Sequence, residues 1–231
     1  MTWPNNAQTR VCLAGLLGLL SACADIQYID HASNRTMDQA TDDSSAFSRT
    51  VDFHLDPAFY ETPPRCVMIL PVHHKKAPDR RTAELVEDAV SRYASNRFDK
   101  ALTARHVKFA ARKRAFDPGH AGDRRRLGRA LRCDTQLEIR TVGVEDLYAI
   151  VWADKSVTIQ LTLTRTSDGA VLWRGRHTAR RADGGLPIGF LGVGAGTFSA
   201  GMLASDSDIL PSMIDDAVRR VMASLPDTRH F

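Results

Sequence analysis

The sequence predicts an α/β (α+β) fold: a mixed sheet with a parallel β-α-β-α-β start, an antiparallel hairpin and a C-terminal helix packed on the sheet. Residues 66–72 are a continuous apolar run, which is typical of a strand buried on both faces. Residues 157–164 alternate apolar and polar side chains, as a strand does when one face is core. Residues 208–225 carry apolar side chains at helical spacing and stop at Pro226. Such a helix must cover a sheet to bury its apolar stripe.

A helix, a weak strand and a second helix are predicted after the first strand. Asp79 is the expected N-cap of the first helix, whose apolar positions recur over residues 83–102. Residues 105–109 are a weak strand candidate, and Pro118-Gly119 breaks the chain. Residues 124–132 predict a short basic helix.

The second half of the chain is predicted to form strands joined by a tight turn. Residues 136–144 make one strand, and residues 149–152 either pair with it or lead into the hairpin. Ser167-Asp168-Gly169-Ala170 supplies the hairpin turn, since Gly169 tolerates a positive φ. Residues 171–174 begin the returning strand.

The amino terminus is typical of an export signal, because Arg10 precedes an apolar stretch at 11–20 that is followed by small residues. That stretch is too short to span a bilayer, which takes about 20 apolar residues. Leu20-Ser21-Ala22-Cys23 resembles the lipobox of bacterial lipoproteins. The resemblance implies that signal peptide 1–22 is removed between Ala22 and Cys23, and that Cys23 is acylated. The alternative is an ordinary secreted protein with a plain thiol at Cys23.

By the same resemblance, Ala24 behind the anchor favours the outer membrane. Residues 23–65 are polar and interrupted by proline, so they predict a lipidated flexible tether with a reach of roughly 35 Å. The folded periplasmic domain is expected over residues 66–226. Cys66 and Cys133 each precede a predicted strand, and they would be within bridging distance if those strands are parallel neighbours. Otherwise they are two small buried apolar residues.

The order of these elements resembles that of a known family over roughly residues 64–225. The residues that carry the resemblance are Val67-Met68-Ile69-Leu70-Pro71, the strand at 133–140, the alternating run 157–163 and the turn and strand 167–173. They are similar to the amino-terminal domain of the translocation protein TolB. They are also similar to envelope lipoproteins with that domain: the curli secretion channel subunit, lipoprotein activators of penicillin-binding proteins and lipoproteins of unknown function. The resemblance implies a layered α/β domain that binds other proteins or itself, and it carries over no catalytic residue.

The predicted mature chain has no local motif for catalysis or for a cofactor. It lacks a nucleophile elbow, a zinc-protease histidine pair, a Walker loop and a dinucleotide fingerprint. His73-His74 has no third ligand at metal spacing, and residues 192–196 lack the lysine of a phosphate loop. We therefore expect no catalytic residue, no metal, no cofactor and no small-molecule substrate. An envelope hydrolase with a dispersed site is the enzymatic alternative.

A basic segment at residues 105–132 holds ten Lys and Arg against two Asp. Because export separates the protein from nucleic acid, the expected partners are anionic lipid head groups, an acidic protein or a wall polymer. The alternative is a solvated helix face. The candidate residues for an anionic surface are Arg112, Lys113, Arg114, Arg124, Arg125, Arg126 and Arg129.

Residues 184–204 contain no charge and seven glycines. Gly192, Gly196, Ala200 and Ala204 recur every fourth residue, which would let two helices approach closely. A loop or packed helical hairpin, a self-association surface and membrane insertion are the three interpretations left open.

The expected function is that of a non-enzymatic, outer-membrane-anchored periplasmic lipoprotein. It would serve as an accessory or assembly module in envelope transport or maintenance, with the membrane and other envelope proteins as partners. An oligomeric export component similar to the curli channel is the first alternative, and the hydrolase is the second.

Overall fold

The structure, a computed structural model, describes residues 26–30, 50–72, 79–149, 152–183 and 209–231. Within these ranges, seven strands form one mixed sheet and five helices pack on it. The strands are β1 (Gln27–Asp30), β2 (Thr50–Leu55), β3 (Cys66–Ile69), β4 (Lys100–Leu102), β5 (Thr135–Ala149), β6 (Trp152–Arg165) and β7 (Val171–Asp183). The helices are α1 (Ala58–Glu61), α2 (Arg80–Ala94), α3 (Ala104–Lys113), α4 (Ala121–Leu131) and α5 (Ile209–Ala223).

The strand order is β1-β2-β7-β6-β5-β3-β4. β3 lies between β4 and β5 and pairs with both in parallel, whereas β5, β6 and β7 form antiparallel pairs. Gly169 takes φ 80° in the turn between β6 and β7, and Asp168 Oδ1 accepts a hydrogen bond from the Ala170 amide at 3.0 Å. The mixed α/β architecture, the parallel start, the hairpin and the C-terminal helix are therefore confirmed.

One face of the sheet is covered by α2 and α5. α5 packs closely on β7, because a Cβ atom added at Gly175 would lie 2.7 Å from Val221 Cγ1. Asp215 on α5 links the two helices, accepting hydrogen bonds from Arg92 at 2.7 Å and from the Tyr93 hydroxyl at 2.9 Å. The largest fully buried side chain on this face is Trp173.

The opposite face of β3 is covered by α3 and α4. Met68 and Leu70 pack there against Val107, Ala110 and Leu127, all of them buried. Since Val67 and Ile69 belong to the first face, β3 is buried on both sides, as its apolar run predicts.

The strand predicted at residues 105–109 is wrong, because this segment lies in α3. The Thr103 hydroxyl accepts a hydrogen bond from the His106 amide at 3.2 Å and caps the helix, while Val107, Ala110 and Ala111 bury at helical spacing. The strand in this part of the chain is the three-residue β4 just before it.

The predicted boundary of the folded domain at Cys66 is also wrong, because residues expected in the tether belong to the sheet. β2 pairs with β7, placing Val51 opposite His177, and both Val51 and Phe59 are fully buried. β1 pairs in parallel with β2, with Gln27 opposite Thr50. The signal that was missed is the alternation of polar and apolar residues through residues 50–55.

Candidate functional site

A disulfide joins the beginning of β3 to the segment that enters β5. The Cys66 and Cys133 sulfurs are bonded, and their Cα atoms lie 5.2 Å apart. This follows from the parallel pairing of Val67 with Thr135, which brings together two positions 67 residues apart in the chain. The Thr135 hydroxyl also donates a hydrogen bond to the Cys66 carbonyl. Of the two alternatives that the sequence left open, the structure has the bridge.

A cavity of about 730 Å³ lies beside this disulfide. Four arginines and one carboxylate line it. The full lining is Thr62, Pro63, Arg65, Cys66, Arg125, Gly128, Arg129, Arg132, Cys133, Asp134, Thr166 and Ser167.

The four arginines reach the cavity from two directions. Arg65 and Arg132 each immediately precede a bridged cysteine, so the strand pairing and the disulfide together bring these two residues close. Arg125 and Arg129 lie four positions apart on α4 and therefore project from the same side of the helix. The basic segment predicts Arg125 and Arg129 as candidates and includes Arg132 among its bases, whereas Arg65 lies outside it and has only its position beside Cys66 as a signal.

The guanidinium groups of Arg125, Arg129 and Arg132 have no side-chain partner among the described residues. Arg65 donates a hydrogen bond of 3.4 Å to the Phe231 carbonyl oxygen. Guanidinium forks bind carboxylate or phosphate groups through two parallel hydrogen bonds. The cavity is thus chemically suited to an oxyanion.

The backbone at Arg132 adopts a conformation that usually belongs to glycine. α4 ends in a Schellman motif, in which the Cys133 amide donates to Gly128 O at 2.9 Å and the Arg132 amide donates to Arg129 O at 3.2 Å. Arg132 has φ 51° there. α3 ends in the same way, with Ala115 at φ 53°.

The other predicted basic residues do not line this cavity. Arg112, Lys113 and Arg114 are exposed at the end of α3, where Arg112 lies beside Val72 in a smaller cavity of about 310 Å³. Val72 lies just beyond the carboxyl end of β3. These three residues are therefore at the opposite end of β3 from the disulfide.

Arg124 and Arg126 have structural partners. Arg124 is half-buried, and its Nη1 donates to the Pro118 and Gly119 carbonyls at 3.1 Å each. Arg126 lies 3.5 Å from the Asp123 carboxylate, one turn earlier on α4. The predicted basic residues thus form two separate groups, one at the end of α3 and one at the cavity. Of the remaining two, Arg124 binds the loop before α4 and Arg126 pairs with Asp123.

An ion pair with a buried carboxylate and a partly exposed lysine occupies the carboxyl end of β3. Glu87 on α2 is 8% exposed and accepts hydrogen bonds from the Val72 amide at 2.9 Å and from Lys108 Nζ at 2.8 Å. The pair lines a groove of about 860 Å³ between α2 and α3. Because both carboxylate oxygens have partners, this pair clamps α2, α3 and the strand end together rather than presenting an open site.

A buried histidine lies on the face of β7 that α5 covers. His177 Nδ1 donates a hydrogen bond of 2.7 Å to the Thr50 carbonyl at the start of β2. Burial lowers the pKa of His177, and the hydrogen bond to Thr50 only partly opposes that shift. The fold therefore favours the neutral imidazole.

Several predicted sites lie outside the described residues: the cleavage site Ala22-Cys23, His73-His74, and the small-residue positions Gly192, Gly196, Ala200 and Ala204. Among the residues that the structure does describe, no three His, Cys, Asp or Glu side chains are grouped as metal ligands. In that same part of the chain, no helix has the length and apolar character needed to cross a membrane.

No protein-family model matches the chain, and no curated protein matches it. Solved structures similar to it include lipoprotein GNA1162 from Neisseria meningitidis, at a TM-score of 0.46 and 15% identity over 70% of this chain and 100% of that chain. The PelC dodecamer from Paraburkholderia phytofirmans gives a TM-score of 0.43 and 12% identity over 77% and 98% of the two chains. The C-terminal domain of LpoB from Salmonella enterica gives 0.35 and 12% over 50% and 82%.

Proposed function

We propose that this protein is a non-enzymatic lipoprotein that Cys23 anchors to the outer membrane, and that its α/β domain docks periplasmic partners during envelope transport or maintenance. The observation that supports this most is the position of β1. The sheet begins at Gln27, only four residues after the cysteine of the lipobox-like motif. Four residues span at most about 14 Å, so an acylated Cys23 would hold this edge of the sheet close to the bilayer.

The register of the sheet indicates which end of the domain the proposed anchor would hold at the membrane. β1 runs from Gln27 towards Asp30, whose partner Phe53 lies nearer to the level of the disulfide. The chain upstream of Gln27 therefore leaves the sheet at the end away from Cys66. Gln27 and Cys66 are separated by about 26 Å along the strands and about 24 Å across five strand spacings, or roughly 35 Å in all.

Because β1 and β2 belong to the sheet, the proposed link between Cys23 and the folded domain is a few residues long, in place of a tether over residues 23–65. The anchor would keep the β1 end at the membrane, while the disulfide end projects into the periplasm as the docking end. Each buried acyl CH₂ adds about 0.8 kcal/mol, and more than one chain makes the attachment durable. Confinement at the membrane then raises the effective concentration of the docking end for partners within reach.

An oligomeric export component is the second candidate, and the exposed edge of the sheet favours it. β1 is the terminal strand of the described sheet, and its Tyr28 and Ile29 are 42% and 36% exposed. An open strand edge can pair with another chain. Sedimentation of the whole protein in detergent as one discrete oligomer would support this candidate, and a monomer at high concentration would contradict it.

The anchor is tested by Cys23→Ser, with Cys12→Ser as the matched control inside the predicted signal. We expect Cys23→Ser to release the protein from the membrane fraction and to abolish acyl mass in intact-protein mass spectrometry. Cys12→Ser should leave both unchanged, because Cys12 is removed with the signal. Unaltered fractionation of Cys23→Ser, or a mature chain without acyl mass, would contradict the proposal.

A further inference from the structure

We propose that the cavity beside the Cys66–Cys133 disulfide binds a soluble ligand that carries two neighbouring oxyanion groups, such as a diphosphate or a dicarboxylate. This inference does not depend on the membrane anchor, because every residue that carries it lies in the described part of the domain. Four observations support it: the charges around the cavity, the disulfide between the cysteines that follow two of the arginines, the backbone of Arg132 and the size of the cavity.

The charge around the cavity is strongly unbalanced. Arg65, Arg125, Arg129 and Arg132 line it, and Asp134 is the only carboxylate among the described lining residues. Asp134 forms no ion pair with these arginines, although its carbonyl accepts a hydrogen bond from the Thr166 hydroxyl at 2.7 Å. Four guanidinium groups around one cavity repel one another. Two oxyanion groups would offset that repulsion and fill the guanidinium forks.

The disulfide keeps two of the like charges from separating. Arg65 is bonded to Cys66 and Arg132 to Cys133, and the bridge holds the two cysteine Cα atoms 5.2 Å apart. The pairing of Val67 with Thr135 already places these two segments side by side, and the bridge adds a covalent link between them. The bridge therefore prepares the positive cavity before any ligand arrives, which reduces the ordering cost of binding.

Arg132 occupies a backbone position where glycine would be more stable. Left-handed φ angles cost a residue with a side chain roughly 1–2 kcal/mol, and helices commonly place glycine at this position of a Schellman motif. Here the position carries an arginine that lines the cavity. The same left-handed conformation falls on Ala115 at the end of α3, whereas at Arg132 it places a guanidinium at the cavity.

The size of the cavity favours a discrete ligand. Its volume of about 730 Å³ falls within the roughly 300–1,000 Å³ of small-molecule sites. Gly128 forms part of the wall, where a Cβ atom would lie 2.8 Å from the Cys133 carbonyl oxygen. The exposed hydroxyl of Ser167 at the rim provides a further hydrogen-bond donor.

The first experiment is calorimetric titration of the whole chain in detergent with inorganic pyrophosphate at low salt. Arg129→Gln should weaken binding about tenfold, since a hydrogen bond to a charged group contributes about the free energy of one decade in Kd. Arg126→Gln is the matched control, because Arg126 lies on the same helix but pairs with Asp123 outside the cavity. It should bind pyrophosphate as the unchanged protein does.

The second experiment separates binding from folding by relieving the same backbone strain at two sites. Arg132→Gly and Ala115→Gly each place glycine at a left-handed position. Both should raise the melting temperature, by about 2–4 °C for a domain of this size. Only Arg132→Gly should weaken pyrophosphate binding.

Three results would overturn the proposal. These are the absence of pyrophosphate binding by the unchanged protein, an equal loss of affinity in Arg126→Gln and Arg129→Gln, and full affinity in Arg132→Gly. Vesicles of phosphatidylglycerol form the remaining arm. Binding to these vesicles that depends on Arg129, without binding of pyrophosphate, would assign the cavity to lipid head groups and refute a soluble ligand.

Discussion

The two ends of β3 differ in how their charges are arranged. At the carboxyl end, the buried Glu87 carboxylate is paired with Lys108 and the exposed Arg80 with Glu84 at 2.9 Å, while Arg112, Lys113 and Arg114 lie exposed at the end of α3 and line no cavity with the disulfide. At the amino end, Arg125, Arg129 and Arg132 surround a cavity without a partner among the described residues. Paired charges stabilise the junction of helices and strand, whereas converging unpaired charges are suited to a ligand. The ion pair of Glu87 thus has a structural role at one end, and the other end carries the proposed binding cavity.

The largest expected effect comes from removing the covalent link at the amino end. The double substitution Cys66→Ser with Cys133→Ser should lower the free energy of unfolding by about 4 kcal/mol, since the bridge closes a loop of 67 residues. Urea denaturation measures the change. Reduction of the unchanged protein with dithiothreitol should reproduce it. Equal stability before and after reduction would show that the amino end holds together without the bridge.

A smaller effect is expected from breaking the buried ion pair at the carboxyl end. Lys108→Ala leaves the buried carboxylate of Glu87 with only the Val72 amide as partner among the described residues, which should lower the free energy of unfolding by about 2 kcal/mol, the cost of a buried acceptor left short of a donor. Arg80→Ala is the control, because its ion pair with Glu84 is exposed and should not change stability measurably. If both variants unfold at the same urea concentration, the two ion pairs contribute equally to the free energy of unfolding, which would contradict this prediction.

The sequence predicts a large part of the fold through local patterns. The apolar run of β3, the alternation of β6 and the amphipathic α5 each follow from a period of side chains, so their burial was predictable. Val107 and Phe109 favour a strand at residues 105–109, but the helical spacing of the buried Val107, Ala110 and Ala111 is what the structure satisfies in α3.

The cavity was not predictable from any local pattern. It depends on the register that sets Val67 opposite Thr135, and on the end of α4, which turns Arg132 towards the bridge. A single base such as Arg65 has no periodic signal. The structural role of Glu87 was equally unpredictable. A carboxylate on the apolar side of a helix can be identified as part of an ion pair only when the fold shows Lys108 beside it.

The smallest expected effect concerns pH and the β1 end of the sheet. Because burial lowers the pKa of His177 in the fold, the unfolded chain binds a proton more readily below its ordinary pKa of about 6.5. Stability contributed by the neutral imidazole is thus present above that pH and is lost as pH falls below it. His177→Gln keeps a donor for the Thr50 carbonyl and should flatten the dependence of unfolding free energy on pH between about 5 and 7. An unchanged slope would assign the pH dependence to other groups.

The orientation of the two ends at a membrane tests the account most directly. A fluorescent group is placed at Gln27 or at Ser167, both exposed positions, and the acylated protein is inserted in vesicles that carry a head-group quencher. We expect strong quenching of the label at Gln27 and little at Ser167, since the proposed anchor at Cys23 would hold the β1 end at the surface, and the disulfide end lies roughly 35 Å from that end. Equal quenching of both labels, or stronger quenching at Ser167, would contradict the assignment of an anchored end and a recognition end.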